Sequence, residues 1–445
     1  MRKTLSRRNL FKIAGGAALA AAGASMLPRF TSKGGWLSPS WSADAQQAAP
    51  NLSMAATDGW IALPPDSAMA PYHPDSLAPA GLTTYIFGFR NVTGLTPEQM
   101  MAQKMRAQHS APLFWVNQNT QFTLQLTNLG LAMRPDLVDA HTLHWHGFRH
   151  VIPFFDGEPM GSVSVPIERN FTYAFRPRDP GTYMYHCHVE DIEHVHMGMT
   201  GMVFVRSAQD GTTLNFNGRD YTRFAYNDGD GSTGFDRQFS LLLSEVWNEA
   251  HWDDAHIQLP QWTDYRVDFG LLNGRVYPDT IAPNSPMIDW TANNIDPATF
   301  NAMPVLTDGT GDLMANAGLE SLRYQPLSSL ITCNAGERVL LRFANLGFTE
   351  AAMTATGLKM QIIGRDATLM RGRTGADTSY LSSTATFNAG ESVDAIFTAP
   401  PHSGNSPYDA YLLYNRAMTH GNGSQMTEIR VYPANTLAPQ ALPNT

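Results

Sequence analysis

The stretch from Gly181 to Met199 (GTYMYHCHVEDIEHVHMGM) constrains this chain more than any other, because it sets one of only two cysteines between two histidines. Tyr183 to His188 alternates like a β-strand, with Tyr183, Tyr185 and Cys187 pointing to one face and Met184, His186 and His188 to the other. One strand therefore serves two sites. Cys187 faces an aromatic interior in which a thiolate is shielded, and His194 and Met199 follow it by seven and twelve residues. A thiolate, an imidazole and a weak axial thioether lack one further imidazole for a type 1 copper centre.

The segment from His141 to Gly147 (HTLHWHG) supplies that imidazole in His141. The expected first ligand set is thus His141, Cys187, His194 and Met199. His144 and His146 lie on one strand face, where His186 and His188 can meet them. Four imidazoles without a thiolate suit a separate copper that binds oxygen or nitrite. Because His186 and His188 flank Cys187 covalently, electrons have a short path between the two sets. A Cys187–Cys333 disulfide is the competing reading for an exported chain. A strand cysteine flanked by histidines is better explained as a thiolate ligand, leaving Cys333 as a small buried residue.

At 445 residues and 43% apolar content, the chain can bury cores for two or three domains. A net charge of −9 without any Lys/Arg block argues against nucleic acid or an anionic membrane as the main partner. Small substrates, metal ions and redox proteins remain. Ser6 to Lys12 (SRRNLFK) precedes a weakly apolar run from Ile13 to Met26, the pattern of a twin-arginine export signal. That run is too short to span a bilayer. The expectation is a signal peptide over residues 1–45, cut after Ala24 or near Ala45, and a periplasmic or secreted protein.

Residues 46–80 lack a sustained period and read as an extended arm. From residue 81 to 206, short alternating strands between Gly, Pro, Asn and Asp turns indicate a Greek-key β-sandwich. Residues 207–236 are rich in turns and read as a linker or a surface hairpin. A second strand-rich region covers 237–435, and 436–445 is a tail. Asn117 to Gly130 aligns with Asn334 to Gly347, so the second region is a duplicate of the first. Carried forward, His144 to Gly147 falls against Thr354 to Gly357, and His186 to His188 against Tyr414 to Arg416. The second copy lacks copper ligands. The fold class is therefore all-β, with two tandem sandwiches after an export signal and an arm.

The order His144-Trp145-His146-Gly147, Asp156-Gly157, Pro166-Ile167, Pro180-Gly181 and His186-Cys187-His188 resembles a cupredoxin domain of the multicopper oxidases. Copper nitrite reductases are more distantly similar in the spacing of His141, His146, His186 and Cys187. The resemblance implies cupredoxin-like sandwiches, copper as cofactor and oxidoreductase activity with dioxygen as acceptor. Multicopper oxidases hold a trinuclear cluster with eight histidines, four from each of two cupredoxin domains, and this chain offers four. Either another copy completes a type 2/type 3 centre in a homo-oligomer, or the four hold a smaller one. Nitrite reductases take a third histidine from a neighbouring subunit, a position matched here by Arg416, with His402 and His420 as nearby substitutes. Asp156 matches the acidic residue that multicopper oxidases keep near their oxygen-reducing copper to handle protons.

The other candidates are weaker. His150 and His196 border the ligand runs as hydrogen-bond supports. His251 and His256, five residues apart, read as an exposed loop. Glu190, Asp191 and Glu193 could draw a cationic substrate toward His194, or simply solvate a loop. Two functions stay open: an oxidoreductase taking electrons at the type 1 copper, and an electron-transfer or copper-binding protein without oxygen chemistry.

Overall fold

The structure is a computed structural model and describes residues 50–64, 75–284, 320–417 and 425–445. The expected signal peptide and His420 lie outside these residues. Two β-sandwiches follow one another. The first sandwich uses β1 (Leu52–Ala62), β2 (Thr83–Asn91), β3 (Ala111–Asn117), β4 (Phe122–Asn128), β5 (His144–His146), β6 (Asn170–Phe175), β7 (Gly181–His186) and β8 (Thr200–Arg206). One of its sheets runs β2-β1-β4-β6 and the other β3-β8-β7-β5. Between them lies a core rich in rings, including Phe87, Phe114, Phe122, Trp145, Tyr173 and Tyr185, which also contains Cys187, Met197 and Met199.

Strand β1 corrects the reading of residues 46–80 as an arm. It pairs antiparallel with β2 and parallel with β4, in the middle of a sheet. Nearly every one of its residues is buried on both faces. Such a strand carries no alternation of apolar and polar residues, and small residues such as Ala55, Ala56 and Gly59 hide it further. At Gly59 an added Cβ would lie 2.9 Å from the Ala107 nitrogen, so glycine permits the close approach of that segment.

Residues 207–236 contain the hairpin of β9 (Leu214–Phe216) and β10 (Arg219–Tyr221). The second sandwich contains β11 (Arg237–Val246), β12 (Phe269–Leu272), β13 (Ile331–Asn334), β14 (Arg338–Asn345), β15 (Ala351–Ala355), β16 (Met360–Arg365), β17 (Thr368–Leu369), β18 (Tyr380–Ser382), β19 (Thr384–Phe387), β20 (Ser392–Thr398), β21 (Asp409–Asn415) and β22 (Met426–Tyr432). Its sheets run β12-β11-β14-β20-β16-β17, with β18 beside β16, and β13-β22-β21-β15-β19. The pairing of β11 with β14 repeats that of β1 with β4.

Helices are short: α1 (Pro97–Met101), α2 (Asp191–His196) and α3 (Asn248–Ala255). None among the described residues is long and apolar enough to cross a membrane. The sandwiches meet through a buried polar group. Asp394 accepts from Thr182 Oγ1 at 2.5 Å and Tyr226 OH at 2.6 Å, and pairs with Arg342 at 3.5 Å. Each polar member has a partner, as burial requires.

Candidate metal centre

The antiparallel pairing of β5 with β7 sets His144 opposite His186 and Trp145 opposite Tyr185. That register puts imidazoles on the outer face and rings on the inner one. Cys187, the residue that follows β7, is fully buried in the aromatic core, and neither cysteine is in a disulfide.

The first expected set comes together. Cys187 Sγ lies 3.3 Å from His194 Nδ1 and 3.8 Å from His141 Nδ1. Met199 is buried in the same core cluster, and its carbonyl accepts from the Cys187 nitrogen at 3.1 Å. The Thr142 nitrogen points at Sγ from 3.5 Å. Burial by itself raises a thiol, but hydrogen bonds from His141 and His194, together with their charges, hold Cys187 well below the usual thiol range. For His194 burial works downward, yet Asp139 and Cys187 outweigh it and push the imidazole up to about 10. A buried thiolate between two imidazoles, with Met199 tied to the same cysteine through its backbone, is a donor set that fits copper.

A reductant that gives electrons at the type 1 set would be expected to approach an exposed edge of His194, and the structure corrects this. The His194 ring has no exposed edge. Nε2 faces the Asp139 carboxylate at 3.5 Å, and the segment after Cys187 is not an open loop but the short helix α2, entered through Glu190 at φ +45°. Asp139 escaped the sequence reading. Its only signal is an acidic residue two positions before a ligand histidine, and acids at loop ends are common.

The second set comes together in part. His144, His146 and His186 bring ligand nitrogens within 4.8 Å of one another. His188 does not join that triplet, although its ring lies 4.9 Å from that of His144. The hydrogen bonds say which nitrogens are free to ligate. His144 Nδ1 donates to the Asp156 carbonyl at 2.8 Å and His186 Nδ1 to the Cys187 carbonyl at 2.8 Å, leaving Nε2 of each. His146 Nε2 donates to the Gly390 carbonyl of the second sandwich at 2.8 Å, leaving Nδ1, which faces His186 Nε2 at 3.3 Å. Burial lowers the pKa of all three, His186 to about 3, so they favour the neutral form, which keeps a nitrogen lone pair available to a metal. Three neutral imidazoles fit copper as well.

The Asp156 carboxyl lies 3.6 Å from His144 Nδ1. Burial raises its pKa, with Glu158 adding to the rise and His188 and His146 opposing it.

The remaining histidines are placed elsewhere. His150 pairs with Asp179 at 3.3 Å on the surface and supports no ligand. His196 accepts from the Trp247 nitrogen at 3.2 Å. His251, expected on an exposed loop, is fully buried in α3 and donates from Nδ1 to the Tyr85 carbonyl. The burial comes from packing of α3 against β2, which the local pattern did not reveal. His256 instead pairs with Asp75 at 3.1 Å. His402 is occupied locally, accepting from the Gly404 nitrogen.

Residues 93–210 match the family model for multicopper oxidase. Over 144 residues the chain is 38% identical to Laccase-1 of Emericella nidulans, covering 30% of this chain and 22% of that protein. It is 24% identical over 249 residues to Copper resistance protein A of Escherichia coli, covering 53% of this chain and 35% of that one. The matched stretches thus span a fifth to about a third of these relatives. The fold is similar to that of the blue copper oxidase from Nitrosomonas europaea, with a TM-score of 0.51, 17% identity and 85% of each chain covered. The eight expected metal ligands and Asp156 all fall within residues 93–210, the stretch that matches the multicopper oxidase model.

Proposed function

We propose that the protein is an exported copper-dependent oxidoreductase that takes electrons from a reductant at His141, Cys187, His194 and Met199 and passes them to a centre on His144, His146 and His186, with dioxygen as acceptor. The observation that carries this reading is the adjacency of Cys187 and His186, one facing each set. Copper held by the two sets supplies the one-electron chemistry at both ends.

The chain's own groups do the rest. The aromatic core excludes water from the Cys187 thiolate. Asp139 orients the His194 ring through Nε2. The Asp156 carboxyl, raised by burial, is suited to hold a proton beside the second set and deliver it as oxygen is reduced. His188 stands at the rim of that set, its ring centre 4.9 Å from that of His144. If another copy of the chain completes a larger cluster, its histidines would not approach through His146 Nε2, which is committed to Gly390.

The residues Ser6 to Lys12 support export by the twin-arginine route, and the periplasm or exterior as the place of action. The reductant is a small molecule, a metal ion or a redox protein. A second reading, electron transfer without oxygen chemistry, is favoured by one observation: the second sandwich presents a backbone carbonyl, not an imidazole, to His146.

The test is copper content, absorption spectrum and oxygen uptake on the copper-loaded full chain and on His146→Ala. The oxidase reading expects more than one copper per chain, and a variant that keeps its blue colour while turnover disappears. Full oxygen uptake by His146→Ala would sink it. One copper, a blue band and no oxygen uptake in the wild type would establish the second reading.

A further inference from the structure

Helix α2 carries the ligand His194, yet nothing local explains where it sits. It has six residues, Glu190 gives its N-terminus no side-chain hydrogen bond, and helices this short are unstable by themselves. Its place comes from tertiary contacts. His194 and His196 are two residues apart and face different sides of the helix. His194 turns into the first sandwich toward Cys187, and His196 turns toward the second.

His196 is buried, and its Nε2 accepts from the Trp247 nitrogen at 3.2 Å, just past the end of β11. Rings of the second sandwich surround it: His251 at 5.0 Å between ring centres, and Trp262, Tyr265 and Phe348 each at 5.5 Å. These surroundings are themselves braced. Trp247 packs on Trp262 at 5.8 Å and on Tyr265 at 5.9 Å, and Tyr265 packs on Phe348 at 5.2 Å. The Tyr265 hydroxyl donates to Glu245 of β11, which also accepts from the Phe348 and Thr349 nitrogens at 2.9 Å and 3.2 Å. A second tie reaches the loop before the ligands. Arg134, five residues before Asp139, donates to the Asp254 carbonyl at 2.8 Å and pairs with its carboxylate at 3.2 Å. Asp254 belongs to α3 of the second sandwich, so the loop that brings Asp139 to His194 Nε2 is held by the same domain.

We propose that His196 is a positioning residue for the type 1 set: it fastens the ligand helix to the second sandwich, so that a domain without ligands of its own fixes where His194 stands. The inference rests on the reading of His141, Cys187, His194 and Met199 as that set. The anchor has two parts. Accepting from Trp247 fixes the His196 tautomer, with the proton on Nδ1, and removing the acceptor leaves a buried N–H without a partner. The surrounding rings fix its depth by packing. A slide or rotation of α2 that carries His194 Nδ1 away from Cys187 Sγ has first to draw His196 out of these contacts. Supports locked by packing and hydrogen bonds hold a site to within about 0.5 Å of its working geometry.

Three variants of the full chain separate positioning from general stability. His196→Phe keeps a ring and loses the acceptor, and His196→Gln restores an acceptor. Leu413→Ala opens the second core in the sheet that does not contain β11. In the copper-free chain, amide hydrogen exchange over residues 190–199 is expected to be roughly ten-fold faster in His196→Phe, near wild type in His196→Gln, and within about two-fold of wild type in Leu413→Ala. In the copper-loaded, oxidised chain, excess EDTA is expected to bleach the blue band roughly ten-fold faster in His196→Phe, whose band also moves in wavelength, with rescue in His196→Gln and no change in Leu413→Ala. Trp262→Leu removes one half-buried ring of the same surroundings and keeps the test open should His196→Phe not fold, with both rates expected to rise about three-fold.

Unchanged exchange and bleaching in His196→Phe and Trp262→Leu would overturn the proposal. So would equal acceleration in Leu413→Ala, or a His196→Gln chain no closer to wild type than His196→Phe. A wild-type chain that takes up copper without any blue band would overturn the type 1 reading instead, while the exchange measurement, which needs no copper, still decides whether His196 anchors the helix.

Discussion

In the first sandwich His144 faces His186 across β5 and β7; in the second, Thr354 faces Tyr414 across β15 and β21. The match extends to the hydrogen bonds. The Thr142 nitrogen points at Cys187 Sγ from 3.5 Å, and the Ala352 nitrogen donates to Asn415 Oδ1 at 2.8 Å. Asn128 caps the Gly130 nitrogen at 2.8 Å as Asn345 caps Gly347 at 2.9 Å. Gly147 at φ +86° turns the chain over Tyr183, and Gly357 at φ +75° does so over Tyr411. The backbone is shared while the ligands are not. The candidate ligand set is therefore a choice of side chains on a frame that is built the same way without them.

The cores differ to match. Trp145 and Tyr185 pair where the second sandwich pairs Ala355 with Leu413. The large rings of the first core exclude water around a thiolate, whereas in the second core burial pushes the Cys333 thiol up to about 12.

The sharpest break in this comparison is Cys187→Asn, which gives the first sandwich the residue of the second. It is expected to remove the blue band completely while costing the copper-free fold about 1–2 kcal/mol, since an Asn already fills the equivalent place. Absorption after copper loading and denaturant unfolding without copper would check both parts. A variant that fails to fold without copper would show that the two frames are not interchangeable.

A middle-sized effect concerns pH. His109 is fully buried, its ring nitrogens have no hydrogen-bond partner among the described residues, and burial, aided by His251, lowers its pKa to about 3. An unfolded histidine titrates near pH ~6.5, so the unfolded chain binds this proton first. Stability contributed by the neutral ring is present above pH ~6.5 and is lost as the pH falls toward ~3. His109→Leu should flatten the acid limb of a stability curve measured by denaturant unfolding; an unchanged slope would remove His109 as its cause.

The smallest effects are expected at the matched turns. Gly147→Ala and Gly357→Ala each place a side chain at positive φ and should cost about 1 kcal/mol, nearly equally. Unequal costs in thermal unfolding of the copper-free chain would show that the His146 turn carries strain that its counterpart lacks.

Much of this was legible in one dimension. The alternation over Tyr183 to His188 foretold which side chains of β7 meet the core, and aligning Asn117–Gly130 with Asn334–Gly347 foretold the opposition of Thr354 and Tyr414. Strand β1 was not legible, because a central strand buried on both faces shows no period. The burial of His251 and the facing of Asp139 with His194 were not legible either, since each depends on an element distant in sequence.

The sequence by itself determined the types of the candidate ligands, their order and the faces they occupy, because strand periodicity and covalent adjacency are local properties. Only the tertiary structure decided that His194 is sealed from solvent, that three imidazoles close on one another while His188 stands aside, and that His196 turns into the rings of the second sandwich. Those outcomes depend on which surfaces pack together, and packing is set by the whole chain at once.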